Sequence, residues 1–427
     1  MKYRRSMSFA AAMLLLCAGL TGCGKQESDT PAGQTVQAAD LTADIKPQAV
    51  TGADPDETYC AGQTAFALKL MQETLKKQQD NVLISPYSVM QALAMTANGA
   101  NGDTLAQMEQ TLGGLPIADL NRYLYTVRTN QPNTEACKLE CANSLWIRDD
   151  GDRIEAKPDF LQTTADYYGA PAYKRPFDQS TADEINSWCS EHTDGMIPHV
   201  ISEIDETELM YLINAVVFDA KWEKQYENDP TDRDFKALDG STQTAQMMYS
   251  DEHLYLTDAH ACGFMKPYAG GKYAFAALLP EEGLSVTDYV AGLTPESLRK
   301  TLTGADREDV YAGLPEFTYD FDTEMTEQLS NMGMPGAFSE GADFRRMAKT
   351  DNGLLYIDKV LHKTHIEVDP KGTKAAAVTA VIMTNECDAE TPEPKYVILD
   401  RPFLYMIVDT ETGLPVFMGI LTEIPGK

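Results

Sequence analysis

The stretch Gly372-Thr373-Lys374-Ala375-Ala376-Ala377-Val378-Thr379-Ala380-Val381-Ile382-Met383 is composed like a buried strand yet runs straight into an exposed tip. With the two-residue period of a strand, Thr373, Ala375, Ala377, Thr379, Val381 and Met383 share one face, and Lys374, Ala376, Val378, Ala380 and Ile382 share the other. The first face is small or apolar and carries no charge, as cover for a hydrophobic core requires. The following Asn385 to Pro394 is acidic and proline-bearing, a solvated loop. Two readings stand: an ordinary strand followed by a loop, or a segment that can be either. Upstream, His362, Thr364, Ile366 and Val368 alternate with Lys363, His365, Glu367 and Asp369, a strand with one face inward. Val397, Leu399 and the run Phe403 to Val408 predict further strands beyond the loop.

Outward from this stretch, the chain has the bulk of a globular protein. It holds 427 residues, 43% of them hydrophobic, enough to fill a sizeable core. Its net charge of -30 argues against nucleic acid and anionic membrane surfaces as partners, and serves solubility. The N-terminus begins with a basic Met1-Lys2-Tyr3-Arg4-Arg5 and a short apolar run from Ser8 to Leu20, a signal-peptide pattern. Leu20-Thr21-Gly22-Cys23 resembles a bacterial lipobox, so residues 1–22 are expected to be removed and Cys23 to carry lipid. Two or more acyl chains hold a protein to a membrane stably, where one does not. Residues 23–58, poor in large apolar side chains, are expected to be a flexible tether.

The remaining cysteines show no C-x-x-C pair, so no metal site is expected. Cys137 and Cys141 fall on one face of a strand about 13 Å apart, too far to bond to each other. They read as core thiols, although an exported setting permits disulfides. Ala65 to Lys77 has helical spacing, with Phe66, Leu70 and Leu75 toward a core. A short apolar strand, Val82-Leu83-Ile84, then runs into Ser85 as helix cap with Pro86 at the first helical position, and Gly99 is expected to stop the helix.

From Asn81 to Ala100 the chain resembles the signature helix of the serpins, and further resemblances follow in order. They comprise Ala142-Asn143-Ser144-Leu145-Trp146-Ile147, Ile185-Asn186-Ser187-Trp188, Thr193-Asp194-Gly195-Met196-Ile197 and Leu212 to Glu223. Leu314-Pro315-Glu316-Phe317, Gly333 to Phe338, Ala342-Asp343-Phe344, Asp400 to Tyr405 and Val416-Phe417-Met418-Gly419 complete the series. The resemblance covers residues 59–427 and implies one α+β domain: a large, mostly antiparallel central sheet with surrounding helices, a second sheet system and an exposed reactive loop.

Membership of that family implies a suicide inhibitor of serine, or alternatively cysteine, proteases, not an enzyme and without cofactor or metal. The second reading is a non-inhibitory serpin-fold carrier cleaved as a simple substrate. The expected partners are a target protease and, through the anchor, the membrane; the chain is expected to act as a monomer at the cell surface, or extracellularly if shed. Carried over by position, the hinge comprises Gly372, Thr373, Ala375, Ala376, Ala377 and Thr379. The shutter, beneath the point where the sheet parts, comprises Ser85, Ser88, Asn214 and His362, and Trp222 marks the breach at the top. Each also has a plain structural role open to it, as helix cap, core aromatic or satisfied histidine.

Two departures from the family pattern, Pro370 and Lys374, and the position of the cut bond bear on function; Lys374 replaces a usual Glu on the outward face. Pro370 stands where the family normally has Glu, which removes a backbone donor and an ion pair, or else stiffens the hinge base. Family spacing puts the cut bond at Glu386-Cys387, and a slip of a few residues puts Asn385, Asp388 or Met383 before it instead. Glu386 suits an acid-preferring protease with a basic primary pocket. A thiol hydrolase built on Cys387 with His362 or His365 is disfavoured, because a mobile acidic tip is a poor mount for a nucleophile.

Overall fold

The computed structural model describes residues 39–149, 153–351, 355–373 and 394–426. Three large sheets organise them, beside a two-stranded pair of Ile154–Ala156 with Ala348–Thr350. The largest has seven strands in the order Ala39–Asp40, Ala172–Arg175, Cys137–Arg148, Met210–Lys221, Gly372–Thr373, Leu361–Asp369 and Phe317–Glu324. All of its pairings are antiparallel except that of Cys137–Arg148 with Ala172–Arg175. A six-stranded sheet contains Val82–Ile84, Pro415–Leu421 and Phe403–Asp409, and a four-stranded one joins Lys395–Ile398, Val310–Pro315, Thr242–Glu252 and Thr231–Lys236. The architecture is the mixed α+β arrangement expected.

Burial explains why the central strand Met210–Lys221 lacks polar alternation. Val216, Phe218 and Ala220 belong to the large core shared with the six-stranded sheet and the helices Glu57–Leu75 and Pro86–Ala97. Ile213 and Ala215 lie in a second cluster with Trp146, Ile185 and Trp188, the last two on the helix Gln179–His192. A strand covered on both faces has no solvent side on which to place polar residues. In Leu361–Asp369, by contrast, His362, Thr364, Ile366 and Val368 are buried and their neighbours only half-buried, as the alternation predicts.

Ser85 caps Pro86–Ala97 by accepting the Ser88 N–H at 3.2 Å, with Pro86 opening the helix. Gly99 has a role other than the expected one. The helix ends on right-handed Asn98, and a Cβ at Gly99 would lie 2.4 Å from Met347 Cβ. Close packing, not a left-handed turn, requires glycine there.

The tether reading is corrected from Ala39 onward. Ala39–Asp40 pairs with Ala172–Arg175, and the Leu41 N–H donates to Ala172 O at 2.8 Å. Tyr123 OH donates to Asp56 Oδ2 at 2.6 Å, and Asp56 accepts the Tyr59 N–H at 2.9 Å as cap of a helix starting at Glu57. These contacts are made largely by backbone and short polar side chains, so composition alone reads the segment as loose. The helix begins at Glu57, eight residues before the expected Ala65, on the start signal of Asp56 and Glu57, and its first turn already buries Tyr59 and Cys60. Cys137 and Cys141 are buried free thiols, as expected.

Candidate functional site

Gly372–Thr373 is the focus of the central sheet. After Leu361–Asp369 the chain turns at Pro370-Lys371 and comes back antiparallel, with Val368 opposite Thr373 and Asp369 opposite Gly372. On its other side Gly372 faces Lys221 and Thr373 faces Ala220. Two residues thus stand between Met210–Lys221 and Leu361–Asp369, paired with both. Approach is so close that a Cβ on Gly372 would lie 2.1 Å from Ala220 O, so only glycine fits.

The turn is pinned from three directions. Asp369 Oδ1 accepts the N–H groups of Lys371 and Gly372 at 2.7 and 2.9 Å. Trp222 Nε1 donates to Asp369 O at 2.9 Å, the Trp222 N–H to Lys371 O at 2.9 Å, and the Tyr226 N–H to Pro370 O at 3.1 Å. Pro370 lies in the turn, where its missing N–H costs no ladder bond and its fixed φ favours the bend. Of the two effects weighed for this residue, stiffening of the hinge base is the one this geometry supports.

Trp222 is fully buried and stacks on Tyr268 at 4.6 Å between ring centroids, 11° from parallel. Tyr268 OH is 2.6 Å from Thr373 Oγ1, so the breach aromatic reaches the hinge through one further ring. Behind them sits a feature that pattern reading did not single out. Lys266, 1% exposed, pairs with buried Glu252 at 2.7 Å, and its ammonium lies 4.4 Å from the Tyr226 ring centroid and 5.5 Å from that of Trp222. Ser250 Oγ gives the same Glu252 oxygen a second hydrogen bond at 2.6 Å. Burial pushes the Lys266 pKa down, and Glu252 opposes that shift. The available signal was a lone lysine within the apolar run Phe264, Met265, Pro267 and Tyr268.

The four residues assigned to the shutter by resemblance, Ser85, Ser88, Asn214 and His362, lie in one hydrogen-bonded cluster. The Ser85 N–H donates to His362 Nε2 at 3.0 Å, which leaves the ring proton on Nδ1. Ser85 Oγ donates to Val416 O at 2.9 Å, while Ser88 Oγ donates to Asn214 Oδ1. Asn214 Nδ2 in turn reaches Asn143 Oδ1 at 2.8 Å and Cys141 Sγ at 3.1 Å. Asn143 and Cys141 thereby join the cluster; the sequence placed both on the strand without giving them this part. Asn143 Nδ2 is buried without a partner among the described residues. A buried donor left without an acceptor is costly, and the network is incompletely satisfied at this amide. The remaining predicted positions, Ala375, Ala376, Ala377, Thr379, Glu386, Cys387 and Cys23, lie outside the described residues.

Two outcomes follow from this geometry. Burial holds the His362 pKa down at about 4, against a smaller upward pull from Asp322. Its ordinary value is near 6.5, so between those limits the unfolded chain binds more protons than the folded one, and stability falls as pH drops through the window. The expected slope is about 1.4 kcal/mol per pH unit, and urea titrations from pH 7 to 4 should show it flattened in His362→Gln. Lys266→Met leaves Glu252 buried and unpaired, and should cost about 3–5 kcal/mol in urea unfolding. The double variant Lys266→Met/Glu252→Leu should regain most of that loss.

Comparison with known proteins assigns the family. Residues 61–424 match the family model described as Serpin (serine protease inhibitor). The chain is 31% identical to mouse leukocyte elastase inhibitor A over 386 residues, covering 85% of this chain and 98% of that one. It is 30% identical to a serpin-like protein of Thermococcus kodakarensis over 363 residues, 83% of each. Among solved structures, the thermophilic serpin tengpin in its native state superposes with a TM-score of 0.85 at 43% identity, covering 91% of this chain and 100% of that one. On the family model and on these relatives, this chain belongs to the serpin family, many of whose members are protease inhibitors.

Proposed function

We propose that the chain is an exported, membrane-anchored suicide inhibitor of serine proteases that traps its target by inserting the cleaved loop into the seven-stranded sheet. The observation that carries this reading is the register of Gly372–Thr373. Continued along both neighbours on insertion, that register would set Ala375 between Phe218 and Ile366, and Ala377 between Val216 and Thr364. Thr379 would then fall between Asn214 and His362. The alternate residues Thr373, Ala375, Ala377 and Thr379 take the core side, where Ile366 and Thr364 are already buried. Small apolar side chains fit that side, and a charge there would cost several kcal/mol.

The chemistry then follows in order. The serine oxygen of the protease attacks the carbonyl carbon of the residue before the cut, an ester forms, and the peptide beyond leaves with a new amino terminus. Insertion of about fourteen residues, Thr373 to Glu386, carries the ester some 45 Å at strand rise. Misplacing the catalytic groups by only about 1 Å can cost ~100-fold in rate, so the ester outlasts the protease's power to hydrolyse it. Glu386 as the residue before the cut favours a protease with a basic primary pocket. Cys23 would hold the mature chain to the membrane by its acyl groups.

Thr373→Arg should convert the inhibitor into a substrate: cleaved, but yielding no denaturant-resistant conjugate in gel analysis with serine proteases of differing primary specificity. Ala377→Arg, which leaves the Thr373 contacts of the uncleaved chain in place, should act likewise. Trapping that survives both changes would overturn insertion as the mechanism. Mass spectrometry of the released C-terminal peptide identifies the cut. Cys23→Ser should move the protein from the membrane to the soluble fraction on ultracentrifugation, whereas retention in the membrane would refute the anchor.

A further inference from the structure

A cavity of about 330 Å³ lies between the helices Glu57–Leu75 and Ile117–Thr129, the central strand Cys137–Arg148 and the turn that joins Phe403–Asp409 to Pro415–Leu421. Small-molecule sites run from about 300 to 1,000 Å³, so it is large enough to hold a ligand. Among the described residues, none of those assigned to the hinge or the shutter lines it. Tyr59, Gln63, Phe66 and Ala67 reach it because helical spacing sets them on one face. Leu139, Leu414 and Val416 close its apolar side.

Two phenols on this wall are idle. Tyr59 and Tyr273 are each only 2% exposed, yet neither hydroxyl has a hydrogen-bond partner among the described residues. What little surface each residue keeps includes its oxygen, and both residues line the cavity. Their rings are held in place: Tyr59 stacks on Tyr123 at 4.8 Å between centroids, and Tyr273 meets Phe218 edge-on at 5.6 Å. Burial pushes both phenols up, with Asp409 adding to the shift, so at neutral pH each is a fixed O–H donor. A buried tyrosine hydroxyl ordinarily finds an acceptor within the protein, and a donor left without one is costly. Tyr87, the third phenol on the wall, is already engaged by the side-chain amides of Gln91 and Gln131 at 2.9 and 2.6 Å.

The charges around the cavity narrow the class of ligand. Asp54, Asp409 and Glu411 outnumber Lys272, whose ammonium is bound to Asp409 at 2.9 Å and to Glu411 at 2.5 Å. An anion entering here would meet repulsion, with the one lining cation already taken. Apolar walls beside two unused O–H donors suit instead an uncharged body that carries an accepting oxygen. We propose that this cavity binds a small, uncharged, apolar molecule bearing a carbonyl oxygen, which accepts from the Tyr59 and Tyr273 hydroxyls while the body packs against Phe66, Val127 and Leu139. The site is independent of the inhibitory reading.

The test titrates the full chain with prodan, an uncharged naphthyl ketone whose emission moves to the blue in apolar surroundings. The parent should bind one prodan per chain, saturating in the micromolar range, and should bind the anionic naphthalene sulfonate ANS far more weakly. Tyr59→Phe/Tyr273→Phe keeps the walls and removes both donors. It should weaken prodan binding about tenfold. Its melting temperature should be no lower than the parent's, because neither hydroxyl has a partner to lose. Val127→Trp, at a half-buried wall position, fills the cavity and should abolish prodan binding; it carries the test alone if the double variant fails to fold. No saturable binding by the parent would leave a cavity that holds water only, and would overturn the site. So would prodan binding that survives Val127→Trp or that a folded double variant leaves unchanged, and so would ANS bound as tightly as prodan.

Discussion

Everything in this molecule turns on the backbone pairing of two residues. Gly372 and Thr373 hydrogen-bond in register with a strand on each side, and under the proposed mechanism that register would commit an inserting segment to one alignment and one face. A chain segment joins a sheet as a unit of period two, so a shift by one residue would turn Lys374 inward in place of Thr373. The spacing of Ala375, Ala377 and Thr379 in the sequence is compatible with that alignment. The close approach of Gly372 to Ala220 O makes the entry point intolerant of any side chain, which fixes the register at its origin.

Around this point the protein places polar groups where an apolar core would have been simpler. Lys266, Glu252, Ser85, Ser88 and His362 are almost wholly buried, and Asn214 is half-buried beside them. Desolvating such groups is costly, and similar pairs can often be replaced by apolar residues without loss. Their common property is direction: hydrogen bonds and charge–ring contacts hold Trp222, Tyr226 and the hinge turn at fixed angles, which apolar contact does not. Were the sheet to part along one line, as the proposed mechanism requires, directional contacts at both ends of that line would favour it.

Much of this was legible in the chain itself. Strand periods, the Ser85-Pro86 helix start and the residues of the shutter could be read because each depends on local spacing or on a pattern that stays in order along the sequence. The Lys266–Glu252 pair could not, since its partners lie in different sheets and nothing in the sequence joins them. Ala39–Asp40 escaped for another reason: strand addition at an edge is made by backbone, which every residue has. Gly99 shows a third case. Its presence was correctly marked, but whether a glycine answers to a dihedral or to a neighbour depends on where Met347 lies.

Cys141 ties the shutter to a chemical property of a different sort. Its sulfur accepts from Asn214 Nδ2 inside the closed gate, and burial pushes the thiol up to about 12. At neutral pH roughly one such group in a hundred thousand is ionised, and alkylating reagents attack only the thiolate. Any movement that breaks the contact with Asn214 and admits water returns the group toward ordinary thiol acidity and raises its reactivity by orders of magnitude. If the sheet opens as proposed, the alkylation rate of Cys141 would report how often its contact with Asn214 breaks.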